Sequence, residues 1–218
     1  MYSILKPFIF SLDPETAHDL AINSLKFNVL PKNIFQVDNE ELLETNLFNE
    51  LLPNPIGLAA GFDKSAEVYN QMFKLGFGFV EVGTVTPKKQ YGNPKPRIFR
   101  LEKDLALINR LGFNNDGSEI VSKRIENNLP KNLLGINIGP NKGASDMTKD
   151  FLNCAETFFP LGDYITINIS SPNTEGLRDF HKKEILKELL SKINQIRERS
   201  NYRKAFLLKI SPDLNEKN

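Results

Sequence analysis

Five apolar, strand-length runs recur along this chain, and each breaks into polar residues at its C-terminal end. They are Pro55–Ala60, Phe77–Val82, Leu133–Ile138, Tyr164–Ile169 and Ala205–Ile210. Several are apolar on both faces, the pattern of parallel strands covered on each side. Helical segments are expected between them, over Ala66–Leu75, Ser118–Asn127, Lys149–Phe159 and Lys182–Arg199, with Gly76 as a helix stop. Alternating strand and helix predicts an α/β architecture with a parallel sheet. The polar ends decide the type. The runs finish in Gly61-Phe62-Asp63-Lys64, Gly83-Thr84, Asn137-Ile-Gly139-Pro-Asn141-Lys142, the turn from Asn168 through Ser171, and Lys209 before Ser211-Pro-Asp213. A doubly wound sheet gathers its ligand residues at one switch point, whereas every strand of a (β/α)₈ barrel contributes at the C-terminal face. The expected fold is therefore a (β/α)₈ TIM barrel with about five of its eight βα units present, and an open five-stranded sheet is the alternative.

The count sets a second expectation. A closed barrel takes about 250 residues, and these 218 supply five strands. The chain reads as the N-terminal part of a longer one.

Ahead of the barrel the pattern changes. Ile4, Leu5, Phe8, Ile9 and Leu12 share one helical face. Asp13-Pro14 supplies an N-cap and a first-turn proline, and Ala17, Leu20, Ala21, Ser24 and Leu25 follow at helical spacing. Two readings stay open for this pair: packing on its own domain, or resting on a membrane surface and shaping an apolar entrance. Residues 28–50 read as a polar connector, so the expected domains are 1–40 and 41–218.

Bulk properties exclude several classes. With 28 basic and 27 acidic residues, the net charge of +1 gives no global field for nucleic acid. Lys88, Lys89, Lys95, Arg97 and Arg100 are locally basic and are expected mostly to form a solvated face. Cys154 is the only cysteine, in a helical stretch, so no internal disulfide forms and a buried inert thiol in a reducing compartment is expected. Two histidines and one cysteine leave no basis for a His/Cys metal site. No run approaches the ~18 apolar residues of a membrane-spanning helix.

The chemistry concentrates at the strand ends and in the long connection Val85–Asn115. Asn109, Asn168 and Asn173 each offer a donor and an acceptor to a planar ligand with alternating N–H and C=O groups. Lys64 follows a strand. Lys209 lies inside the apolar run Leu207-Leu-Lys-Ile, where it faces either the barrel interior or solvent; an interior lysine requires an anionic or electron-rich partner. Ser171 has no histidine or Gly-x-Ser-x-Gly context, which argues against a hydrolase triad. A serine in a dry site can still remove a proton from an activated carbon acid, with Thr174 nearby for relay.

The motifs Gly57-Leu-Ala-Ala-Gly-Phe-Asp-Lys64, Glu81-Val-Gly-Thr-Val-Thr-Pro87, Pro96-Arg-Ile-Phe-Arg-Leu101, Asn109-Arg-Leu-Gly-Phe-Asn-Asn115, Gly135-Ile-Asn-Ile-Gly139 and Asn168-Ile-Ser-Ser-Pro-Asn-Thr174 closely resemble the dihydroorotate dehydrogenase family, in its quinone-dependent class 2. The resemblance implies an FMN-containing barrel behind a helical unit that opens a quinone tunnel to the membrane. The implied reaction is oxidation of dihydroorotate to orotate in pyrimidine biosynthesis. It implies Ser171 as the catalytic base; class 1 members carry cysteine there. Substrate contacts would be Lys64, Asn109, Arg110, Leu111, Gly112, Phe113, Asn168 and Asn173. Flavin contacts would be Ala60, Gly61, Phe62, Asp63, Lys64, Thr84, Asn137, Asn168 and Lys209. Phe113 and Thr174 would shape the proton path, and His18 and Arg100 would line the quinone tunnel. The implied location is the cytoplasmic face of a bacterial inner membrane, as a peripheral protein. Another FMN barrel reductase acting on a uracil-like ring, or an inactive membrane-peripheral fragment, are the alternatives. The family's later strands, which bring a Thr-Asn pair and glycine-rich phosphate loops, have no counterpart in these residues.

Overall fold

The computed structural model describes residues 2–27 and 41–214, the side chains of 2–5 excepted. Most of the connector read at 28–50, the side chains of Ile4 and Leu5, and residues 215–218 fall outside that description. Two helices open the chain, α1 (Tyr2–Ser11) and α2 (Pro14–Lys26). Asp13 caps α2 as its sequence predicts, its carboxylate accepting from the N–H groups of Glu15 and Thr16 at 3.0 Å each.

A hairpin follows, β1 (Thr45–Leu47) and β2 (Glu50–Leu52). This corrects the reading of residues 28–50 as connector throughout. Phe48 and Asn49 make its two-residue turn with φ of 54° and 68°, the mirror-image turn that hairpins favour.

The main sheet contains β3 (Gly57–Leu58), β4 (Phe79–Val85), β7 (Leu134–Ile138), β8 (Tyr164–Asn168) and β9 (Ala205–Lys209), all parallel and paired in chain order. A doubly wound sheet reverses its strand order at a switch point; this one never reverses. The described residues therefore form five strands of a partial (β/α)₈ barrel. Helices α3 (Tyr69–Lys74), α4 (Ser118–Asn127), α5 (Met147–Phe158) and α6 (Lys183–Arg199) separate the strands. Gly76 follows α3 at φ 101°, a left-handed stop. The connection from β4 to α4 folds into a second unforeseen hairpin, β5 (Ile98–Leu101) with β6 (Ala106–Asn109).

The two sheet faces divide the labour. Val80, Val82, Leu134, Ile136, Ile138, Ile165 and Ile167 point outward into a core with Phe151, Phe158, Val121, Ile125, Leu189 and Ile193. Cys154 is buried in the same layer, and burial pushes its thiol well above the ordinary range. The opposite face is the barrel interior, and strand register stacks it in rows: Glu81, Gly135, Tyr164 and Ala205; then Asn137, Thr166 and Leu207; then Asn168 and Lys209. A Cβ on Gly135 would lie 2.0 Å from the Tyr164 ring, so glycine there makes room for that tyrosine. At the N-terminal end of the strands, Leu52 of the β1–β2 hairpin packs with Leu133, Tyr164, Phe48 and Phe79. The missed hairpin is the barrel's floor.

The first pair of helices is seated mainly through α2. Ile22 and Leu25 join the core, while Leu20 of the expected apolar face is 51% exposed. The helix turns differently from its apolar spacing because it also buries Glu15, whose carboxylate pairs with Arg97. Arg97 is 6% exposed and also donates to the carbonyls of Tyr91 and Asn93 at 2.5 and 2.9 Å. Arg100 donates to the carbonyls of Phe10 and Leu12 at 3.2 and 2.8 Å. Of the local basic cluster, Lys88, Lys89 and Lys95 are solvated, as expected, and the two arginines hold the helices down.

Candidate active site

The polar strand ends converge. A cavity of about 330 Å³ at the C-terminal end of the sheet is lined by Ala60, Gly61, Lys64, Gly83, Thr84, Asn109, Leu111, Gly112, Phe113, Asn114, Asn168, Ser171, Asn173 and Lys209. Each of β3, β4, β8 and β9, or the loop after it, contributes, and the β5–β6 hairpin supplies the loop that follows Asn109. Lys209 pairs across the sheet with Asn168 and lies on the interior face. On this edge strand its side chain is also exposed, so it meets both the interior side and solvent.

A hydrogen-bonded chain sets the floor of this cavity. Glu81 accepts from Asn137 Nδ2 at 2.8 Å and from Thr166 Oγ1 at 3.0 Å. Asn137 Oδ1 accepts from Thr84 Oγ1 at 2.6 Å, and Thr84 Oγ1 accepts from Asn168 Nδ2 at 2.9 Å. Register shifts between Val82 and Val85 let Thr84 reach both asparagines. Gly83, at φ 107°, is required at this bulge because a Cβ would lie 2.4 Å from the Asn137 carbonyl oxygen. Asn137 is thus fully buried beneath the cavity instead of lining it.

The turn after β8 is fixed from several sides. Asn168 Oδ1 accepts from the Ser170 N–H at 3.1 Å, and Ser171 Oγ accepts from the Asn173 N–H at 3.2 Å. Arg178 donates to Asp213 at 2.9 Å, and the Ser211 N–H donates to His181 Nε2 at 3.2 Å, tying this loop to the one after β9. Thr174 is buried with an Oγ1 that has no protein partner. Ser171 lines the cavity, and no histidine is among its hydrogen-bond partners.

The loop after Asn109 is braced from behind. The Asn93 N–H and Nδ2 donate to the carbonyls of Leu111 and Arg110 at 2.9 and 2.8 Å, and Gln90 Nε2 donates to that of Gly112 at 2.9 Å. Arg110 turns outward onto the Pro96 carbonyl and the Phe99 ring, away from the cavity. Asp63 is buried and accepts from the N–H groups of Glu67 and Val68 at 2.8 Å each, a structural post. Burial pushes its carboxyl up, against those two donations. Burial pulls the ammonium of Lys64 down, opposed by the carboxylates of Glu15 and Asp19.

Phe62 and His18 belong to a second cavity, of about 430 Å³, between α2 and the barrel. His18 Nε2 lies 2.7 Å from the Phe62 carbonyl oxygen, and its ring meets the Phe62 ring edge-on. Arg100 stands apart from both cavity linings, at the end of α1. Sequence reasoning missed three participants: Asn114 in the cavity wall, Glu81 under the floor, and the Glu15–Arg97 pair behind the loop. Glu81 could have been found as a lone acid inside an apolar strand; the others had no local signal.

Two lysines, four asparagines and the hydroxyl residues Thr84 and Ser171 around one opening match a planar, anionic, amide-rich molecule. A Cβ added at Gly61 would meet nothing within 4 Å, so the space over the backbone there is open. The fold and this constellation define a barrel-type enzyme site at the C-terminal face.

The family model described as Dihydroorotate dehydrogenase matches residues 42–218. The dihydroorotate dehydrogenase (quinone) of Bradyrhizobium sp. (strain BTAi1) is 49% identical over 213 residues, covering 95% of this chain and 57% of its own length. That of Xanthomonas axonopodis pv. citri (strain 306) is 45% identical over 225 residues, covering 100% of this chain and 64% of its own length. A crystal structure of DHODH in complex with ferulenol from Eimeria tenella superposes with a TM-score of 0.86 at 38% identity, covering 94% of this chain and 61% of that one. The chain belongs to the dihydroorotate dehydrogenase family. It spans about three-fifths of the length of the curated relatives it matches.

Proposed function

We propose that this protein oxidises (S)-dihydroorotate to orotate in pyrimidine biosynthesis, with a quinone as the final electron acceptor. The observation that carries the reading is the convergence of Ser171 with Lys64, Asn109, Asn168, Asn173 and Lys209 on one cavity. In this reading Ser171 Oγ takes the proton from ring carbon C5. C6 gives up a hydride, and the C5–C6 single bond becomes double. FMN, when bound, would supply the two-electron acceptor chemistry. Ala60, Gly61, Lys64, Thr84, Asn168 and Lys209 would hold it, with Asn137 supporting Thr84 from below.

The chain's own residues do the remaining work. Asn168 and Asn173 present amides to the ring's polar edge, and the cation of Lys64 holds the carboxylate. The loop Asn109–Phe113 covers the ligand and excludes water, which raises the value of each polar contact. Phe113 and the unpartnered Thr174 hydroxyl shape the proton's way out.

The N-terminal residues 1–40 form the quinone-side unit in this proposal and 41–218 the barrel. His18 lines the acceptor's approach, and Arg100 seats the end of α1. Support comes from the cavity under α2 and from the outward apolar residues Phe8, Leu20 and Phe27, which suit a peripheral location on a membrane surface; we place that surface at the cytoplasmic face. Among the described residues no helix is long and apolar enough to cross a membrane. The test is to express the complete reading frame with detergent and supply dihydroorotate and a quinone analogue. Orotate should appear in step with quinol. A flavin-loaded protein that makes no orotate would overturn the reading.

A further inference from the structure

His181 makes two hydrogen bonds, and together they define which ring nitrogen carries a proton. Its Nδ1 lies 3.0 Å from the Arg178 carbonyl oxygen, which can only accept, so Nδ1 is the donor. Its Nε2 lies 3.2 Å from the Ser211 backbone nitrogen, whose N–H can only donate, so Nε2 keeps its lone pair. Only the neutral imidazole satisfies both partners. An imidazolium has an N–H on each nitrogen and would set donor against donor. That would leave the N–H of Ser211, a residue 3% exposed, without its acceptor.

The place of this bond gives it a use. Ser171 and Asn173 lie on the segment after β8, Lys209 ends β9, and all three line the site cavity. As far as Ile169 the two strands are joined through backbone, the Ile169 N–H donating to the Lys209 carbonyl at 3.1 Å. Beyond that point, two hydrogen bonds among the described residues join 170–182 to 210–214. One is Arg178 to Asp213 at 2.9 Å, between side chains 39% and 69% exposed, a pair that solvent and salt weaken. The other is His181 to Ser211. His181 closes the 3₁₀ turn Leu177–His181, whose Leu177 and Phe180 are buried, with Phe180 edge-on to Phe151 of α5. Arg178, Asp179 and Lys182 flank the histidine in sequence, Lys183 and Glu184 open α6, and Asp213 stands on the facing loop. Asp179 pairs with Lys182 at 2.8 Å and Asp213 with Arg178, and no described ion pair includes the His181 ring.

We infer that His181 is a positioning residue for the proposed base: its neutral imidazole latches the segment carrying Ser171 to the loop after Lys209, and protonating the ring opens the latch. This deepens the proposed function and rests on it for the role of Ser171. Histidine changes charge between about pH 5 and 8, so the latch is closed at the upper end of that range and open at the lower.

The test takes the complete, flavin-loaded protein and two variants. His181→Gln offers an amide oxygen to the Ser211 N–H at every pH, and His181→Leu offers no acceptor at any. Flavin reduction by dihydroorotate is timed anaerobically from about pH 8 to about pH 5.5, and hydrogen exchange of the Ser211 amide is followed without substrate. All three proteins share the other titrating groups, so rates are compared at each pH. Wild type should match His181→Gln at the upper end. At the lower end it should fall about tenfold below it, the effect of one lost hydrogen bond, and join His181→Leu. The Ser211 amide should lose protection over the same interval in wild type and keep it in His181→Gln. A ratio of wild type to His181→Gln that stays level with pH overturns the inference and leaves the proposed function standing. So does equal protection of Ser211 in all three proteins. Flavin that dihydroorotate reduces in none of them overturns both.

Discussion

The two ends of one sheet are built on opposite terms. At the N-terminal end, Leu52, Leu133, Tyr164 and their neighbours close the barrel with side chains that have nothing left to satisfy. At the C-terminal end, less than the length of a strand away, Thr174 Oγ1 and Asn114 Oδ1 are buried without protein partners. Lys64 lines the same cavity as Asn114, and burial lowers its ammonium below the ordinary lysine range. The same strands feed both ends, so the difference lies in the residues placed along the interior rows. The end at the hairpin is packed with apolar side chains, and the opposite end gathers the polar residues around a cavity. Barrel enzymes in general divide their two faces this way.

The sharpest way to break this comparison is at Ser171. Ser171→Ala should lower turnover by about 10²–10⁴-fold, the usual worth of a positioned general base. Its flavin content and melting temperature should stay unchanged. A comparable fall in stability would mean that the open end also carries structural load. At the closed end the reverse is expected. Tyr164→Ala should cost about 3–5 kcal/mol of stability, from the cavity left over Gly135, measured by denaturant unfolding, while orotate affinity in the folded fraction holds.

How far this division is legible in the sequence depends on how locally it is encoded. The strands from Phe79 onward were readable because their outward residues, such as Ile136 and Ile165, sit in unbroken apolar runs with clear stops. The site was readable because polar residues after a strand need a reason to be there. Both hairpins escaped. The turn at Phe48-Asn49 has positive φ at both positions without the glycine that usually announces it, and β5–β6 connects through Leu105 at φ 50°, again with no glycine. Arg97 read as surface charge because its partner, Glu15, lies 82 residues away. Asn114 drew no separate reading, since only the folded structure distinguishes a satisfied amide from an orphaned one.

Glu15 sharpens the comparison from the side. The Arg97 guanidinium donates to its carboxylate and holds it below the usual carboxylate range, against the opposing effect of burial. A lowered folded-state value adds stability at pH above the unfolded value and loses it as pH falls through the lowered one. Melting curves taken from neutral to about pH 3 should therefore show a steeper acid loss in wild type than in Glu15→Gln. Parallel curves would remove the pair from the list of tethers.

The smallest effect concerns the outer layer, which belongs to neither end. Cys154 should react with a thiol reagent at pH 8 only after unfolding, because burial keeps it protonated and out of reach. Rapid labelling of the native protein would show that the helical layer opens.

The most direct test of the central claim, that the turn after β8 is the reacting centre, is anaerobic mixing of the flavin-loaded protein with dihydroorotate. Wild type should bleach its flavin absorbance within a turnover. Ser171→Ala should stay yellow, with orotate still shifting its spectrum. Bleaching of Ser171→Ala at the wild-type rate would contradict the account.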